Sequence, residues 1–276
     1  MEISVLLLSY IAILGFILGF VASKTNFCTM GAVSDWVNIG DLSRFKSWMF
    51  AAAIAILGVT IFEFLSYFDL NDSRIPYRNS VFSWPRYILG GLMFGIGMTY
   101  ASGCGNKVLI RIGGGNLKSI VVLLIAGLMA YIMTRTDFYG IVFHSWMNPI
   151  SPDLAILGID DQSLTTIISS IIFSANTVYY KLTIGLLVGF IFMYYIFRSG
   201  SFVKNIDNVI GGFIVGSIVV LAWYLTGSTL GQEWIETNDF LDSPLPGVGV
   251  QSFTFINPMG ESIIYLSKSA DIYYLT

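Results

Sequence analysis

Six stretches of this chain are apolar enough to read as membrane spans: Val5 to Ala22, Trp48 to Tyr67, Tyr87 to Ala101, Ile120 to Thr134, Leu182 to Phe197 and Val209 to Thr226. A helix needs roughly 20 such residues to span the hydrocarbon core. Within that core every backbone polar group must be satisfied internally, which leaves helices or a closed barrel. These runs are continuously apolar rather than alternating, and that selects helices. Only 11% of the 276 residues are charged and 55% are hydrophobic, against roughly 25% charged in soluble domains. The expected class is therefore an all-α integral membrane protein, a polytopic helical bundle with about six spans. The net charge of -3 offers nothing to nucleic acid, and lipid is the expected surrounding. The first run lacks a basic leader and a small-residue cleavage site, so it is expected to be a retained span rather than a signal peptide.

The third and fourth runs are short, and both end at the glycine-rich stretch from Ser102 to Ser119. This predicts half-helices or tilted spans meeting at a non-helical crossing, a pattern that marks substrate sites in transporters. Residues 1–276 are thus expected to form a single transporter-type domain containing short re-entrant or broken helices. Between Asp137 and Lys181 the chain is mixed. Phe138 to Met147 reads as amphipathic, Asn148-Pro149 and Ser151-Pro152-Asp153 are breakers, and Leu164 to Val178 is apolar but short; the region is expected to be interfacial or re-entrant. Lys24, Arg44, Lys46, Lys107, Arg111, Lys118, Arg198 and Lys204 fall in the odd-numbered connections, and Arg74, Arg78, Arg86, Arg135 and Lys181 in the even ones. The positive-inside rule then leans toward an N-terminus outside.

Two segments share a small-residue pattern. Leu89-Gly90-Gly91-Leu92-Met93-Phe94-Gly95 matches Ile210-Gly211-Gly212-Phe213-Ile214-Val215-Gly216, with Ala101 and Ala222 six residues beyond. Small residues four apart let helix backbones approach closely in lipid. Two ordinary packing faces are the simpler expectation, and a transporter repeat is the alternative.

Polar interruptions hold the chain's two cysteines, in Asn26-Phe27-Cys28-Thr29-Met30-Gly31 and Ser102-Gly103-Cys104-Gly105-Asn106. A thiol is a weak donor with a polarizable sulfur, suited to soft partners. Two cysteines without a CxxC cannot build a structural zinc site, and neither a metal nor a cofactor is expected. Farther on, Gly113, Gly114 and Gly115 free the backbone to turn several N–H groups one way, and Asn116 is placed to cap a helix starting at Leu117. The positive end of that helix would suit an anion, with Arg111 and Lys118 as candidate charge contacts unless they snorkel to headgroups. Glu63 lies near the end of the second run, where an interfacial carboxylate outweighs an intramembrane proton site. His144 stands alone and is expected to be an interfacial polar residue.

The run Gly97 to Ser119, with Ser102-Gly103-Cys104-Gly105-Asn106 at its centre, resembles the signature of the YeeE/YedE family of membrane proteins. Asn26 to Ala32 and the block Gln251-Ser252-Phe253-Thr254-Phe255-Ile256-Asn257-Pro258-Met259-Gly260-Glu261-Ser262 are similar to further parts of that family. The resemblance implies uptake of thiosulfate or a related sulfur-containing anion through the bacterial inner membrane. It implies that thiols along a constriction pass the anion by weak hydrogen bonds, without covalent turnover. Cys28 and Cys104 would be two of those contacts, with backbone N–H groups around Gly103, Gly105 and Gly113 to Asn116 stabilising its charge. A cytoplasmic sulfur-carrier protein is an implied partner.

Family members continue past the Phe-Thr-Phe block into a second glycine-cysteine motif, which is not found before Thr276. The chain is expected to be a fragment of a longer reading frame; a second chain supplying the missing half, or an inactive form, are the alternatives. A different class of function, a membrane-bound sulfur-transfer enzyme forming a persulfide on Cys104, is weakened by the lack of an adjacent activating His or acid.

Overall fold

A computed structural model describes residues 2–73, 78–173, 178–240 and 248–269. In chain order the helices are α1 (Glu2–Lys24), α2 (Thr29–Ile39), α3 (Ser43–Phe64), α4 (Trp84–Tyr100), α5 (Gly105–Gly113), α6 (Leu117–Arg135), α7 (Ser145–Met147), α8 (Leu164–Phe173), α9 (Val178–Phe197), α10 (Gly200–Lys204), α11 (Ile206–Gly227), α12 (Thr229–Asp239) and α13 (Ile256–Ser269). Among the described residues there is no strand, only two isolated bridges, Ser73 with Val250 and Val81 with Asp153. Among the described residues six helical stretches are long and apolar enough to cross a membrane, and they match the six runs expected from sequence, the second ending at Phe64 rather than Tyr67. The all-α polytopic class is as expected.

The expected non-helical crossing from Ser102 to Ser119 is corrected. Half of it is α5 and its last three residues begin α6, so that only Ser102 to Cys104 and Gly114 to Asn116 are irregular. Gly115 takes a left-handed φ of 85° and Asn116 accepts a hydrogen bond from the Lys118 N–H, so α6 starts at Leu117 as its cap predicts. The segment Phe138 to Met147 is helical throughout, with a π-turn over Gly140–His144 leading into the short α7.

One break recurs. After α1, Asn26 takes φ 52° and the Phe27 N–H reaches back to the Ala22 carbonyl; after α4, Ser102 takes φ 55° and the Gly103 N–H reaches back to the Met98 carbonyl. Each pairing closes a helix C-terminus in the Schellman manner, with a left-handed residue ending the spiral. The next residue but one is Cys28 or Cys104, extended, and it is the N-cap of a short helix. That short helix ends near a left-handed glycine, Gly40 or Gly115. An Asp or Asn follows, whose side chain accepts from the backbone two residues on and starts the next long helix. The two strings, Gly40-Asp41-Leu42 and Gly115-Asn116-Leu117, carry the same turn chemistry.

The described chain forms two compact units, residues 1–82 with 153–253, and residues 83–152 with 254–276. In the first unit α3 is central, packing along α9 and α11. Its core gathers Phe50, Ala53, Ile196 and Phe202, with edge-on rings between Phe50 and both Phe197 and Phe202. Gly212 and Gly216 of α11 lie directly on α3; a Cβ at either would stand 2.6 Å from the carbonyl oxygen of Ser47 or Ala51. In the second unit α13 is seated on α6, where Gly127 and Gly260 permit close backbone approach. A salt bridge of 2.6 Å joins Arg135 to Glu261. The matching glycines of α4, Gly90, Gly91 and Gly95, meet nothing within 4 Å among the described residues. The shared small-residue pattern therefore packs in α11 and stays open in α4.

Candidate functional site

Cys104 sits half-buried at the start of α5, on the wall of a cavity of about 980 Å³ in the second unit. The walls are mostly apolar: Met93, Phe94 and Met98 from α4, Ala126 and Met129 from α6. The polar groups are few, namely Cys104, Asn257, Thr134 and Tyr100, with the backbone of Gly103 and Gly105. Met93, Phe94 and Met129 are themselves about half exposed, so this is an open apolar groove with a handful of placed polar groups, a make-up that suits a small solute.

Two helix starts meet here. A Cβ on Gly105, the first residue of α5, would lie 2.9 Å from Ile256 Cδ1 and 3.2 Å from Phe255 Cβ, so the beginning of α13 is in van der Waals contact with the beginning of α5. Glycine is what lets them approach. Helix N-termini carry partial positive charge from their first N–H groups, and both starts line the cavity that Cys104 lines. The α13 start also lies near the middle of the 19-residue α6, whose Gly127 touches Met259. This helix therefore begins part-way along a spanning element.

Asn257, Phe255 and Ile256 were not among the site residues expected from sequence. A signal was present: Pro258 in the first turn of α13 marks a helix start within the Phe-Thr-Phe block. What no local pattern reveals is that this start, about 150 residues downstream, faces Cys104.

The expected anion contacts separate into groups. Gly103 and Gly105 line the Cys104 cavity. Gly113, Gly114, Gly115 and Asn116 are exposed at the far end of the nine-residue α5, about 13 Å along its axis at 1.5 Å per residue. Lys118 is exposed there too, while Arg111 is half-buried in the last turn of α5. None of these six lines the cavity.

Cys28 belongs to the first unit, where it is 6% exposed at the N-cap of α2. Neither cysteine is in a disulfide. In both short helices the thiol makes no capping hydrogen bond.

A second cavity, of about 800 Å³, opens in the first unit around Glu63, Asp69, Arg78, Ser163 and Lys181. Arg78 donates to both oxygens of Glu63, at 2.9 and 3.0 Å, and lies 3.5 Å from Asp161. Lys181 stands 3.8 Å from the same Asp161 oxygen. Glu63 is thus an ion-paired carboxylate at a helix end. Asp161 is nearly buried: burial works to raise its carboxyl, but hydrogen bonds from Ser163 and Thr166 and the Arg78 charge outweigh it and hold the group below the ordinary carboxylate range. His144, in the π-turn, lies 6.1 Å from the Tyr139 ring. Among the described residues no three His, Cys, Asp or Glu side chains gather as metal ligands.

A family model described as sulphur transport matches residues 24–267. Over 144 residues the chain is 31% identical to the thiosulfate transporter TsuA of Spirochaeta thermophila (strain ATCC 700085 / DSM 6578 / Z-1203), a match covering 52% of this chain and 41% of that protein. Over 129 residues it is 26% identical to the thiosulfate transporter TsuA of Escherichia coli (strain K12), covering 47% of this chain and 35% of that one. The matched stretch thus amounts to less than half the length of either relative.

Proposed function

The chain belongs to the sulphur-transport family, and on that premise we propose that it carries thiosulfate, or a related sulfur oxyanion, inward across the bacterial inner membrane. The observation that carries this reading is the meeting of the α5 and α13 starts beside Cys104. An unpaired ion in a low-dielectric medium costs tens of kcal/mol, whereas one helix terminus returns about 0.3–2 kcal/mol. Two converging ends, an amide from Asn257 and partial hydration lower that barrier together. The thiol of Cys104 then offers a weak S–H donor and a soft sulfur to the terminal sulfur of the anion. Cys28 would supply a second such contact on its own helix start. No bond forms or breaks in this reading.

Uptake of radiolabelled thiosulfate by cells expressing Cys104→Ser tests the proposal. Uptake is expected to vanish while the amount of protein in the membrane stays constant. Full uptake in that variant would sink the relay. Mass spectrometry of the purified protein after thiosulfate exposure is expected to find Cys104 unmodified; a stable added sulfur would favour a persulfide-forming enzyme instead.

A further inference from the structure

The side chain of Arg44 leaves the first turn of α3 and reaches across α2 to the break that precedes Cys28. Its Nη2 donates to the Asn26 carbonyl at 2.8 Å, and its Nη1 pairs with Asp35 of α2 at 2.8 Å. Asn26 is the left-handed residue that ends α1, so one planar cation ties together the end of α1, the body of α2 and the start of α3. Gly31 makes room for it. A Cβ at that position would collide with Nη2 and stand 2.9 Å from Cζ, so a side chain there makes the guanidinium shift from its seat. Arginine suits the task because its fork holds two acceptors in fixed directions, which a lysine ammonium does not.

We propose that Arg44 is a positioning residue for Cys28: it clamps the α1–α2 break so that the thiol is held, buried, at the start of α2. The motif glycine three residues after the cysteine is then explained by the clamp rather than by backbone conformation, since Gly31 lies within a regular helix. Holding the break also fixes the backbone N–H groups that follow Cys28. This inference rests on reading Cys28 as a contact for the anion only where uptake is concerned; the clamp itself concerns the geometry of the thiol.

The test is the alkylation rate of Cys28 by N-ethylmaleimide in membranes, in a Cys104→Ser background and across a pH series. The high-pH plateau reports access to the thiol and the midpoint reports its ionisation. Losing a charge-assisted pair of hydrogen bonds is expected to raise the plateau on the order of tenfold in Arg44→Ala, with Arg44→Lys intermediate. Gly31→Ala is expected to do the same, and combining it with Arg44→Ala is expected to add little, because both remove one seat. An unchanged plateau in both single variants, or effects that simply multiply in the double, would overturn the clamp. Thiosulfate uptake by Cys28→Ser in an otherwise unaltered chain separates the two ideas: full uptake there removes Cys28 from the anion's path, yet leaves a clamp seen by alkylation standing.

Discussion

Substituting alanine at Gly216 of α11 and, separately, at Gly95 of α4 contrasts two positions that the sequence makes equivalent. At Gly216 the new methyl carbon would lie 2.6 Å from the Ala51 carbonyl oxygen and 2.8 Å from Ile54 Cβ. Ordinary contacts are near 3.5–4.0 Å, so α3 and α11 must separate by about 1 Å. Overpacking of this kind costs about 1–3 kcal/mol, and removing a glycine from a helix returns about 0.5–1 kcal/mol. At Gly95 nothing lies within 4 Å among the described residues, and only the gain remains. At about 2–4 °C per kcal/mol for a chain of this size, Gly216→Ala is expected to lower the melting temperature by a few degrees. Gly95→Ala is expected to leave it level or slightly raised. Thermal aggregation of the detergent-solubilised protein, followed by size-exclusion chromatography, measures both. If Gly95→Ala proves as damaging as Gly216→Ala, the α4 face is covered and the assignment of the packed stripe to α11 alone is wrong.

Three further outcomes follow from the site and its supports. Gly105→Val should force Phe255 and Ile256 away and part the two helix starts; labelled thiosulfate uptake is expected to fall at least tenfold at unchanged membrane levels, by a margin of about 1.4 kcal/mol or more. Asp161 has a carboxyl lowered in the folded chain, so its contribution to stability is present above the unfolded pKa of about 3.9 and is lost as pH falls through the lower folded value. Melting temperatures measured downward from pH 6 should show an acid-side decline that Asp161→Asn flattens, and an identical slope in the two proteins would count against the Ser163, Thr166 and Arg78 contacts. The Arg135–Glu261 pair is partly exposed and worth roughly 0.2–1 kcal/mol: Arg135→Glu is expected to loosen α13, seen as faster proteolysis near Glu261, and Arg135→Glu with Glu261→Arg to restore it.

The six spans were legible because a continuous apolar run of bilayer length has few alternatives. The cap at Asn116 was legible because a small polar side chain before an apolar run has one common use. The helices following the cysteines were not. Thr29–Ile39 and Gly105–Gly113 are short, mixed in polarity and rich in glycine at their ends, so local pattern reads them as loop. Arg44 counted only as a loop charge in the sequence, since its partners Asn26 and Asp35 face it only after α2 folds back on α3. The emphasis on Gly113 to Asn116 came from glycine density. The structure brings Cys104 together with Asn257 and the α13 start instead, a pairing set by tertiary contact.

Serine, threonine, aspartate or asparagine commonly occupies the position that Cys28 and Cys104 hold, and exchanging such a residue for one that does not cap typically costs about 0.5–2 kcal/mol. Both short helices forgo that acceptor. On the proposed reading, an oxyanion at either start would stand in for the missing side chain, and solute and secondary structure would become linked equilibria. Each arrival would then complete a helix and each departure would leave it open. Such a start has an affinity limited by its own helix, which suits a contact that must let its cargo go.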